Sequence, residues 1–242
     1  MFGIALLTVL TLFIVGSITL VAAWRLLYPH ASLNEVAQKQ ALGIVGQALS
    51  YVIICLYMIM LVEGKYHVRF WRAIGWNWPA TGLKITGFAF LGVCTVLLDI
   101  VASRVLPMPK STPFDQFFTN PRDAYPLAAF AITLGPLWEE LFFRGFLYPA
   151  LARRTGVATA VVLTSLPFGL IHYPQYKSWA AVLVIVMVGV VLTGVRAVTK
   201  SVGASLVVHV GYNATLMMLT FAATGGFRHM EKATALVTVA IR

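Results

Sequence analysis

Charge is the scarcest thing in this sequence. Asp, Glu, Lys and Arg make up 11% of it, where a soluble globular domain carries about a quarter. Negative charge is rarer still, with eight Asp and Glu against eighteen Lys and Arg. A chain this poor in charge lacks the polar surface of a soluble domain. Cysteine is nearly absent as well: Cys55 and Cys94 both fall inside apolar runs, so a disulfide framework is not what holds the fold. No heptad, solenoid period or low-complexity tract occurs, which sets aside coiled coils and repeat arrays. No His-Glu-x-x-His run is present, so the zincin motif is missing.

What the chain has is long apolar sequence. It is 60% hydrophobic, with a mean hydropathy of +0.85, and a helix needs roughly 20 apolar residues to cross the bilayer core. The expectation is an all-α, polytopic bundle of seven to eight transmembrane helices. Seven spans are predicted: Phe2–Ala23, Leu42–Val62, Leu83–Val105, Leu127–Leu151, Val157–His172, Trp179–Arg196 and Val202–Ala223. The segment Thr234–Ile241 is apolar but too short to span alone. A β-barrel would alternate apolar and polar residues with period two; these runs are apolar all round. The first span is expected to be retained, since it lacks the basic flank of a signal peptide and its apolar run is too long for one.

The formal charge of +10 would suggest nucleic acid on a soluble protein. Here Arg25, Lys65, Arg69, Arg72, Arg153, Arg154 and Lys200 flank the spans, where basic side chains meet lipid headgroups. The bilayer is the expected partner, and nucleic acid is not. Basic residues fall on both sides, and the balance favours a cytoplasmic N-terminus because the longer third loop counts for less. That loop, Pro107–Tyr125, reads either as an ordered Pro-limited connection or, through its Phe-Asp-Gln-Phe-Phe piece, as an interfacial aromatic anchor.

Few ionisable residues lie deep in apolar sequence: Asp99, Glu139, Glu140, Arg144, His172 and His209. Each charge at a helix centre costs about 2.5–3.5 kcal/mol on insertion scales. Three of them in one span set roughly 8–10 kcal/mol against insertion if unpaired, so that span must face other helices or a wet cavity. Glu140 and Arg144 stand at i, i+4 and can pair. Glu139 and Arg144, five apart, lie roughly 140° apart around an α-helix, so Glu139 points elsewhere and remains unpaired. Phe168 and His172 share a helix face at i, i+4, just after Pro167. His209 and Asn213 do the same. For Asp99 the expected partner is Arg104 or another base. Taken singly, each pair could be structural. Gathered in one dry site, a carboxylate, two imidazoles and an amide supply a general base, a second base or acid, and oxyanion donors.

Glu139-Glu140-x-x-x-Arg144, Phe168-x-x-x-His172 and His209-x-x-x-Asn213 resemble the motif set of the CPBP family. This family holds the type II CAAX prenyl proteases and the bacteriocin-processing or Abi-type membrane proteins. Order and spacing match from Leu134 to Leu219, while the first three spans resemble nothing specific. The resemblance implies an intramembrane endopeptidase acting on a membrane-associated peptide or protein, prenylated or carrying a leader, in a bacterial inner membrane. Carried over by position, Glu139 activates water, His172 orients it or shares its proton, and His209 and Asn213 stabilise the oxyanion. Glu140, Arg144 and Phe168 support them. This implies a core at 124–224, preceded by helices and loops at 1–123 and followed by a tail at 225–242.

The expected cofactor is none. Zinc is the alternative, because Glu139, His172 and His209 are a two-His, one-carboxylate set. Two readings compete on function. Intramembrane Glu and His also build proton relays, so a non-proteolytic protein, for bacteriocin immunity or proton-coupled transport, is the alternative. The Gly-Ala-Ser-Leu run at 203–206 resembles the serine box of rhomboid proteases, but that reading leaves Glu139 and His172 idle.

Overall fold

The computed structural model describes Arg25, Tyr28, Pro29 and residues 40–109, 111–118 and 120–230. The predicted span Phe2–Ala23 and the apolar segment Thr234–Ile241 lie outside the described residues. The chain divides into two compact units, residues 1–73 and 74–242. In the first, α1 (Gln40–Tyr66) turns at His67, with φ 54°, into the short α2 (Phe70–Ala73). Glu63 closes the turn by accepting the Phe70 amide at 2.8 Å.

The second unit begins with α3 (Gly82–Val105) and a 3₁₀ turn (Asp115–Phe118). Then come α4 (Pro121–Ile132), α5 (Leu134–Glu139), a π-helical segment (Glu140–Leu147) and α6 (Tyr148–Thr155). It ends with α7 (Val157–Leu170), α8 (Tyr173–Tyr176), α9 (Trp179–Thr199) and α10 (Val202–Ala223). Side-chain caps start three of the long helices. Thr81, Ser178 and Ser201 accept the amides of Lys84, Ala181 and Ala204, satisfying donors that a helix start leaves free. No strand occurs among the described residues.

Five described helices are long and apolar enough to cross a membrane: Gly46–Tyr66, Gly82–Ala102, Val157–Tyr176, Trp179–Thr199 and Val202–Ala223. These match five of the seven predicted spans within a few residues. The fourth differs. Leu127–Leu151 is four helical pieces, not one helix, and two prolines explain it. Pro136 has no N–H for the carbonyl of Ile132 four residues back and its ring crowds that carbonyl, so α4 stops at Ile132 and α5 starts afresh with Pro136 in its first turn. Beyond Glu139 the helix widens to π, and the Tyr148 N–H reaches back five residues to the Phe143 carbonyl. Pro149 cannot offer an N–H to the Arg144 carbonyl. That carbonyl instead accepts Arg196 Nε at 3.1 Å, while Arg196 Nη2 donates to the Ile74 carbonyl at 3.1 Å. One buried arginine thus ties the π segment to α9 and to the chain entering α3.

The loop before α4 is ordered and folds inward. Phe114 N–H bonds to the Gln175 carbonyl at 3.1 Å, and the Phe118 ring, 2% exposed, packs on Phe114 and Phe227. The described residues of this loop pack on the unit that carries them. Its aromatic rings serve contact within the unit.

Candidate active site

Five elements of the second unit bring the motif residues together. Glu139 ends α5, Glu140 and Arg144 open the π segment, His172 lies between α7 and α8, and His209 and Asn213 lie on α10. The two adjacent glutamates have opposite surroundings. Glu140 and Arg144 are sealed, both with 0% side-chain exposure, and pair at 2.9 Å. Glu139 is 15% exposed, as is His172, which faces it.

Every side-chain nitrogen of Arg144 donates a hydrogen bond. Nη1 donates to Glu140, Nη2 to the Gly189 carbonyl at 3.1 Å and Nε to Thr193 Oγ1 at 3.3 Å. Its guanidinium lies 4.2 Å from the centre of the Phe168 ring, a desolvated cation–π contact. Phe168 also meets His172 and His209 edge-on, at 5.2 and 5.9 Å, so the ring separates the arginine from the two imidazoles. Glu140 holds three donors. Besides Arg144 it accepts Ser205 Oγ–H at 2.6 Å and the His209 Nδ1–H at 3.0 Å.

The hydrogen bonds assign the imidazole tautomers. His172 Nδ1 lies 2.8 Å from the Phe168 carbonyl, which can only accept, so Nδ1 carries the proton. His209 Nδ1 donates to the Glu140 carboxylate for the same reason. Each ring, in its neutral form, therefore turns the lone pair of Nε2 toward Glu139. His172 Nε2 is 3.8 Å from Glu139 Oε1, and His209 Nε2 is 3.8 Å from Oε2. These gaps exceed a direct hydrogen bond and suit a bridging water. Such a water, donating to Glu139 and to His172, keeps a lone pair free to attack.

Asn213 sits one turn beyond His209, and its Nδ2 donates to the Ala131 carbonyl at 2.7 Å. Its amide has a second N–H that this bond does not use. Asp99 bonds not to Arg104 but to Tyr212, whose hydroxyl donates at 2.7 Å.

Zinc can be tested on this geometry. The donor types suit it, and each histidine has its other nitrogen held by an acceptor, as metal-bound histidines do. The spacing does not suit it. Donors around a tetrahedral zinc stand about 3.4 Å apart, whereas the two imidazoles here face different oxygens of Glu139 at 3.8 Å. No group of three side chains among the described residues is placed to hold a metal. The residues as arranged do not fit the ion.

Ser205, Thr193 and Arg196 escaped the sequence reading as members of this network. Ser205 was visible only as a serine four residues before His209. It is fully buried and bonded to Glu140 and the Leu192 carbonyl, which removes it as a rhomboid-type nucleophile.

Fold and site together define a class: an integral, helical membrane protein with two carboxylates and two imidazoles gathered among its helices. Residues 121–215 match the family model described as type II CAAX prenyl endopeptidase, Rce1-like, a stretch that includes all three motif pairs and bears out the CPBP resemblance. Comparison with curated proteins and with solved structures gives no match.

Proposed function

We propose that this protein is an intramembrane endopeptidase of the CAAX-protease type, hydrolysing a peptide bond in a membrane-associated peptide or protein, prenylated or leader-bearing, without a metal. The observation that carries the reading is the division of labour between the glutamates. Glu140 is saturated and sealed, while Glu139 faces two imidazole lone pairs across water-sized gaps.

In this mechanism Glu139 and His172 hold the water. Glu139 takes one proton as the water oxygen bonds to the scissile carbonyl carbon, and the carbonyl electron pair moves onto its oxygen. The second N–H of Asn213 and His209 stabilise that oxyanion. His209 enters this step with a second proton taken up from solvent and donates it from Nε2 to the oxyanion, while the Glu140 carboxylate on Nδ1 stabilises the positive charge. Collapse of the intermediate expels the amine, which takes the proton held by Glu139, directly or relayed through His172 Nε2. Residues 124–224 form the catalytic core, residues 1–123 supply preceding helices, and 225–242 a tail. The bilayer presents the substrate, and the location is a bacterial inner membrane.

Purified protein in detergent is tested on quenched-fluorescent peptides, prenylated and unprenylated, anchored in the micelles. Cleavage is expected, and Glu139→Gln should lower turnover by about 10²–10⁴ while melting at the wild-type temperature. Failure of the wild type to cleave any of these peptides, or near-normal turnover by Glu139→Gln, refutes the proposal.

A further inference from the structure

We propose that Asp99 and Tyr212 are a positioning pair that sets how far His209 and Asn213 reach into the site, which brings α3, a helix outside the family match, into the catalytic apparatus. The inference rests on the endopeptidase reading for its kinetic consequence but not for its structural one.

A carboxylate within a membrane-spanning helix is expensive and is retained where it has a job. Asp99 lies in the span Gly82–Ala102, and the Tyr212 hydroxyl donates to its Oδ2 at 2.7 Å. Tyr212 is three residues after His209 and one before Asn213 on α10. The surface around this bond is smooth. α3 and α10 meet backbone to backbone: a Cβ on Gly92 would lie against the Val208 carbonyl and 2.7 Å from the Tyr212 nitrogen, and one on Gly211 would lie 2.7 Å from the Ala89 carbonyl. Thr95 bonds back to Leu91 in its own helix at 2.7 Å and offers nothing across. Asp99–Tyr212 is a direct side-chain hydrogen bond between these two helices.

Small-residue interfaces permit close approach, but apolar contact alone selects neither rotation nor register. A direct polar contact in an apolar interface does select it, as a buried polar residue does in a coiled coil. Rotation of α10 would carry His209 Nε2 away from Glu139, and Asn213 away from the Ala131 carbonyl. A shift of about 1 Å at such groups is costly to rate. The role asked of Asp99 is that of acceptor, and an amide oxygen fills it equally well.

The experiment has two arms. In the cleavage assay, Tyr212→Phe and Asp99→Leu should each lower kcat about tenfold with KM unchanged, while Asp99→Asn keeps most of the wild-type kcat. In the second arm, spin labels at Val101 and Met218, exposed at 62% and 71%, report the α3–α10 distance with Cys55 and Cys94 replaced by alanine. The distribution should shift or broaden in Tyr212→Phe and coincide with wild type in Asp99→Asn. An unchanged distance and kcat in Tyr212→Phe overturns the proposal, even if its melting temperature falls. Asp99→Asn as impaired as Asp99→Leu also overturns it, because charge would then be what matters. If Asp99→Leu does not fold, Tyr212→Phe and Asp99→Asn decide between them. If the wild type cleaves nothing, the endopeptidase reading falls and the spin-label distances still decide this one.

Discussion

Arg144→Ala should destabilise this protein more than it would an ordinary apolar core, and the cause is the charge left behind. Glu140 is wholly buried, and among the described residues Arg144 is its only ion-pair partner of fixed charge. Stranding one member of a buried pair costs about 3–5 kcal/mol. The Gly189 carbonyl adds little to this, since Thr193 Oγ–H still donates to it at 2.7 Å. Loss of the contact with Phe168 adds about 2 kcal/mol if that contact is fully desolvated. By the scaling for a chain of this size, the sum of about 5–7 kcal/mol is a fall of roughly 10–28 °C in Tm. Glu140→Gln should fall comparably, because Arg144 is then the stranded charge. The decisive variant is the double one. Glu140→Gln with Arg144→Met removes both charges together and should recover most of the lost stability, since neutral replacements of buried pairs are often harmless. Activity should not recover, because His209 Nδ1 has lost its carboxylate. Thermal unfolding in detergent measures all four proteins. Single-variant losses that simply add in the double variant, or an Arg144→Ala protein that melts with the wild type, would refute the reasoning.

The long spans were legible because twenty apolar residues have few other places to go. The fourth was not, because composition cannot register what Pro136 and Pro149 do to particular carbonyls. The assignment of the two glutamates shows a subtler limit. Glu139 was set apart from Arg144 by counting 3.6 residues per turn, yet residues 140–147 are π-helical, where that count fails. The two side chains still diverge, because Glu139 is the last residue of α5, before the widening starts. Motif spacing therefore located the site, while its wiring stayed hidden. Partners four apart on one helix can be counted; Ser205, Thr193 and the Gly189 carbonyl reach Arg144 and Glu140 from other helices. Serine and threonine in membrane helices are ordinarily satisfied by their own helix backbone, as Ser165 and Thr215 are here; Thr193 is too, while its oxygen also accepts from Arg144, so nothing in their spacing marks Thr193 or Ser205. Asp99 repeats the lesson: the search along α3 pointed to Arg104, and the partner is on α10.

Two predictions remain. Asn213→Ala should lower kcat by about 10²–10³, the usual loss for one oxyanion donor, with KM little changed; a change in KM alone would make Asn213 a substrate-binding residue. The last concerns metal, and it follows from which atoms face one another. In their neutral forms, with the proton held on Nδ1 by its partner, His172 and His209 both present lone pairs to a carboxylate. A water can reconcile three such acceptors by donating two hydrogens, and so can a cation by accepting their lone pairs. What separates the two is spacing, since a zinc ion would have to draw both imidazoles inward by several tenths of an ångström. Each is braced against that movement, His172 by the Phe168 carbonyl at 2.8 Å and His209 by Glu140 at 3.0 Å. Active purified protein should therefore contain no stoichiometric zinc by elemental analysis, and chelator should leave its turnover unchanged. Zinc that tracks activity across preparations, is lost with chelator and restores turnover when added back would overturn the metal-free site.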